Sequence, residues 1–73
     1  MKITMREKLI AYLIVKSVNN KNVQVDLPQW ALELKCNPMD LRLLINYLKI
    51  KGELKQWESN GVEYVNIFAG EGI

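Results

Sequence analysis

Histidine is absent, and cysteine occurs once, at Cys36. One thiol excludes an intrachain disulfide framework and suits a reducing, cytoplasmic setting. Cys36 falls within an apolar pattern, so a buried structural thiol is expected rather than a reactive one. Without histidine, a zinc site would rest on carboxylates alone, a poor donor set for that metal. The usual general base is missing, and no nucleophile–base pair can be drawn. No glycine-rich phosphate loop is present. The chain therefore reads as a non-enzyme without a cofactor. Long apolar runs are lacking too. Leu9–Val15 follows Lys2, Arg6 and Lys8 as in a signal peptide, but Lys16 ends it and no small-residue cleavage site follows. The run is much too short to span a bilayer, so a core helix and no membrane partner are expected. No repeat, low-complexity tract or interdomain linker is visible.

What remains is apolar and only weakly basic. Seventy-three residues allow one small domain. A core of that size is marginal, and a homodimer is a common remedy. The hydrophobic fraction of 49% is enough for a compact fold. Net charge is +2, but it is unevenly placed. Residues 1–21 carry Lys2, Arg6, Lys8, Lys16 and Lys21 against Glu7 alone. Residues 35–55 carry Lys35, Arg42, Lys49, Lys51 and Lys55 against Asp40 and Glu53. Glu58, Glu63 and Glu71 then make the end acidic. Such asymmetry fits a phosphate-facing side without demanding one.

Spacing and caps set the expected elements. Thr4 and Glu7 form a capping box that opens a first helix over about 5–18. Met5, Leu9 and Leu13, with the stem of Lys16, make its stripe. Ile10, Ile14, Tyr12 and Val15 widen that stripe enough for a second contact, such as a dimer face. Residues 17–22 are polar and read as a loop. Val23-Gln24-Val25 alternates as a short strand, about 23–25. Asp26, with Gln29 as its capping-box partner, opens a second helix over about 27–35. Trp30, Ala31 and Leu34 are its inner stripe, which makes Trp30 a core residue. Asn37-Pro38 opens a third helix over about 38–51. Leu41, Leu44, Ile45 and Leu48 turn inward, and Gly52 ends it. Asn60-Gly61 is a strong two-residue hairpin turn between strands at about 53–59 and 62–68. Counting outward from it pairs Leu54 with Ile67 and Gln56 with Val65 on the core side. Lys55 with Asn66 and Trp57 with Tyr64 fall on the open side. Glu58 faces Glu63, an unfavourable like pair. Residues 70–73 read as a frayed tail.

Residues 27–51 resemble the helix-turn-helix of winged-helix proteins. In that pattern a small residue, here Ala31, seats one helix on the next. Apolar residues stand just before it and three, five, ten and thirteen places after. Trp30, Leu34, Cys36, Leu41 and Leu44 fill those places. The turn residue four after Ala31 is usually Gly, and here it is Lys35. The resemblance implies an α+β winged helix with three helices and a hairpin wing, and it covers most of the chain. The superfamily is functionally broad.

The resemblance further implies a partner, double-stranded DNA, with the third helix in its major groove. By position, Arg42 would bond guanine, Asn46 adenine, and Met39 or Leu43 a thymine methyl. Lys35, Asn37, Lys49 and Lys55 would meet the phosphate backbone, as would basic groups of the first helix. Trp57, Asn60 and Tyr64 would belong to the wing. Transcription regulation is the expected role, or replication or maintenance of a mobile element. The residues also carry a plainer reading. Arg42 and Lys49 fit a solvated helix surface, and Trp57 with Tyr64 fits a stabilising hairpin pair. Met39 and Leu43, with Tyr47 and Ile50, make the third helix apolar nearly all round. That favours a possible protein partner, as does Asp40, which repels phosphate.

Overall fold

The computed structural model describes residues 2–68, which form three helices and a three-stranded antiparallel sheet. The expected tail at 70–73 lies outside the described residues. α1 spans Met5–Lys16. Both halves of the Thr4–Glu7 capping box are formed. The helix stops two residues short of the expected end, because Ser17 closes it. The Ser17 N–H and hydroxyl both donate to the Leu13 carbonyl. α2 spans Leu27–Leu34. Asp26 accepts from the Gln29 N–H at 3.2 Å, but the reciprocal half of that box is not made. The Gln29 amide instead donates to Glu33 at 2.7 Å, one turn on. Glu33 also accepts from the Tyr12 hydroxyl at 2.5 Å, and this ties α1 to α2.

Lys35 explains how α2 can end without glycine. Its φ of 57° and ψ of 52° are left-handed, the conformation glycine adopts at no cost. There its N–H reaches the Leu32 carbonyl, and the Cys36 N–H reaches Ala31. These bonds satisfy carbonyls that the helix end would orphan, and they offset a strain of about 1–2 kcal/mol. α3, Pro38–Ile50, begins two residues later. Asn37 caps it by accepting from the Met39 N–H at 2.7 Å. Its end repeats the device with glycine: Gly52, at φ 78°, donates to Lys49, and Glu53 donates to Leu48.

The sheet order is β1-β3-β2, with β1 Val23–Gln24, β2 Lys55–Ser59 and β3 Val62–Asn66. Asn60 and Gly61 take φ of 53° and 78°, the two positive values a two-residue turn needs. The hairpin register follows the turn. Gln56 pairs with Val65, Trp57 with Tyr64 and Glu58 with Glu63. The ladder is shorter than expected, so Leu54 and Ile67 lie beyond it as packing residues. β1 adds to the far side of β3, Val23 opposite Val65.

The core is Leu9 and Leu13 of α1, Trp30 and Ala31 of α2, Leu41, Ile45 and Leu48 of α3, and Val23, Leu54 and Val65. Leu44, expected inside, is only half-buried. It lies about 70° round the helix from the middle of the Leu41–Ile45–Leu48 arc, so it packs at the rim. Cys36 is likewise half-buried. Of the residues that widen the α1 stripe, Tyr12 packs against the core and Ile10 is half-buried, whereas Ile14 and Val15 are exposed.

Candidate nucleic-acid interface

α3 buries one side and leaves the other bare. On the bare side stand Met39 (66% exposed), Leu43 (60%), Tyr47 (51%) and Ile50 (84%), with Asn46 also exposed. Arg42, Asn46 and Lys49 follow one another at helical spacing along the flank nearest the hairpin. Together with Gln56, Trp57, Glu58 and Glu63 they line an open groove between α3 and the sheet.

The groove is organised around Glu63. Its carboxylate accepts from both terminal nitrogens of Arg42 at 2.5 Å each, and also from the Gln56 amide. Arg42 was expected to face solvent. It is half-buried and spent on the hairpin. The like pair Glu58–Glu63 is present in register, but Arg42 neutralises one member of it. Strand alternation gives the reason. Glu63 lies two residues from the buried Val65, so both point toward α3. That alternation is the one signal in the sequence from which the ion pair can be found.

Arg42 holds the Glu63 carboxyl below its ordinary range, against the opposing effect of burial; Gln56 and the charge of Lys49 add to the lowering. A depressed carboxyl contributes stability above its unfolded value of about 4.3, and that contribution disappears as pH falls through the folded value. Both side chains keep some solvent, so the pair is worth about 1 kcal/mol. Urea unfolding at pH 6 and pH 3 checks this. The native chain should lose about 1 kcal/mol more across that interval than Glu63→Gln does.

The other expected contacts divide into two groups. Lys35 and Asn37 sit in the turn that precedes α3, and Lys49 in its last turn, so they mark its two ends. Lys55 is on the opposite side of the sheet, since it pairs with Asn66 and alternates with Gln56. Trp57 and Tyr64 share that open side, their rings stacked 5.8 Å apart at 21°. Asn60 occupies the turn itself. Trp57 belongs to both regions. It borders the α3 groove and also a second depression lined by Asn20, Asn22, Ser59 and Tyr64. Gln56, Glu58, Asn20 and Asn22 line these depressions but were not among the expected contact residues. Among the described residues no helix is long and apolar enough to cross a membrane, and no cluster of metal-ligating side chains occurs. No protein-family model, curated protein or solved structure matches the chain.

Proposed function

We propose that this chain is a winged-helix protein that binds duplex DNA as a homodimer and regulates by occupying its site. The observation that carries the reading is the bare side of α3. It has a polar flank of Asn46 and Lys49, the helix packs against α2, where Ala31 is buried, and the hairpin stands beside it. In the major groove Asn46 bonds the adenine edge through both amide atoms, and Met39 and Leu43 contact thymine methyls. Lys35 and Lys49 meet phosphates at the two ends of α3, and Asn37 presents the helix start. Arg42 has a different task from the one its position implies. It fixes the hairpin against α3, and reading guanine would require it to leave Glu63. The exposed Ile14 and Val15 of α1 supply a surface for the second copy.

Selection from a random duplex pool, followed by a shift assay, tests this reading. A defined sequence should be enriched, and Asn46→Ala should weaken binding to it about ten- to a hundredfold. Recovery of no preferred duplex rejects the proposal. The exposed row of Met39, Leu43, Tyr47 and Ile50 favours a second reading, docking of a protein on the same helix. In that case Leu43→Asp abolishes capture of the partner and Asn46→Ala leaves it intact.

A further inference from the structure

The sheet has a second surface that duplex binding through α3 does not use. Alternation along the hairpin sorts its charges by face. Glu58 and Glu63 fall on the side facing α3 with Gln56 and Val65. Lys55, Trp57 and Ser59, with Val62, Tyr64 and Asn66 opposite them, fall on the other side. Gln24 of β1 continues that side, since it pairs with Tyr64. The open face thus carries a lysine, two stacked aromatic rings and a row of amides and hydroxyls. None of its strand residues is a carboxylate. The loop before β1 adds Lys21, whose ammonium stands 5.4 Å from the Phe68 ring.

Beside the stack lies the depression lined by Asn20, Asn22, Trp57, Ser59 and Tyr64. Its amides are partly fixed. Asn22 accepts from the Asn66 amide at 2.8 Å, and Asn20 accepts from the Asn22 N–H at 2.9 Å. Both bonds use the oxygen of the side chain, so neither takes up the NH2 donors of these two lining residues. A flat π surface, amide and hydroxyl donors beside it and cations at its margin suit an unpaired base with its phosphates. Stacking takes the base face, the amides take a carbonyl edge, and lysines take the backbone.

We propose that this open face binds a single strand of nucleic acid, with an unpaired base against Trp57 and its phosphates toward Lys55 and Lys21. The face is contiguous with the α3 groove, because Trp57 borders both. The inference does not depend on duplex recognition by α3, and either can fail alone.

Tryptophan emission reads the site directly. Of the two tryptophans, Trp30 is 2% exposed and Trp57 is 37% exposed, so a stacked base quenches Trp57. The probe is a deoxythymidine or uridine dodecamer at low salt, with an abasic dodecamer as reference. Saturable quenching is expected. Lys55→Ala, an exposed change that spares the core, should weaken binding about fivefold or more. Trp57→Leu, followed by fluorescence anisotropy of a labelled strand, should weaken it tenfold or more, whereas Asn46→Ala leaves it unchanged. Three results overturn the proposal: no quenching, equal binding of the abasic strand, or a loss caused by Asn46→Ala as large as that caused by Trp57→Leu.

Discussion

Truncating Leu48 to alanine should remove about 3 kcal/mol of stability. Leu48 is fully enclosed, in a cluster that draws on all three helices and the sheet. Removing its branched end leaves a cavity that neighbours on different elements cannot all close, and such losses run from about 2 to 5 kcal/mol. A domain this small commands about 5 kcal/mol in total. The melting temperature should therefore fall by roughly 15 °C, measured by circular dichroism. Ile50→Ala is the matched control on the same helix. Ile50 is almost wholly exposed, so the change should stay within about 0.5 kcal/mol. Equal losses at the two positions would mean that the bare side of α3 is covered.

Duplex binding should weaken about a hundredfold between 50 and 200 mM salt. On the proposed reading, Lys35 and Lys49 at the ends of α3 would neutralise about four phosphates in a dimer. Each releases close to one counterion, so the logarithmic slope is about −3.6. Lys49→Ala should flatten that slope by nearly two units, because both copies lose a contact. Asn46→Ala should lower affinity without altering the slope, since it touches a base edge rather than the backbone. Titrations of labelled duplex at four salt concentrations separate these effects. A flat response would remove α3 from the phosphate backbone and favour the protein-docking reading.

Local chemistry made the elements legible. Thr4 with Glu7, Asn37 with Pro38, and Asn60 with Gly61 each act within a few residues, and each stands where its chemistry places it. The hairpin register then followed by counting. Less legible was whatever a side chain chooses among competing partners. Gln29 had two partners within about one turn, the Asp26 N–H as donor and the Glu33 carboxylate as acceptor, and its amide donates to Glu33. Arg42 looked like free surface because Glu63 is distant in sequence, and only the docking of hairpin on helix brings them together. Lys35 stands where the pattern has glycine, and its left-handed backbone follows from the two carbonyls it must satisfy. The candidate site was therefore readable as a face of α3 and not as a network.

The strand order has a consequence for how the chain reaches its native state. Among the described residues β1 pairs only with β3, whose partner residues lie about forty positions later. The helices and the hairpin close short loops, whereas β1 must wait for Tyr64 and Val65, about forty residues on. With two residues in its ladder, it should join last and detach first, which hydrogen exchange of the Val23 and Val25 amides would show. The edge of β3 that it covers is then transiently available to another molecule, a route by which strand exchange between copies can begin.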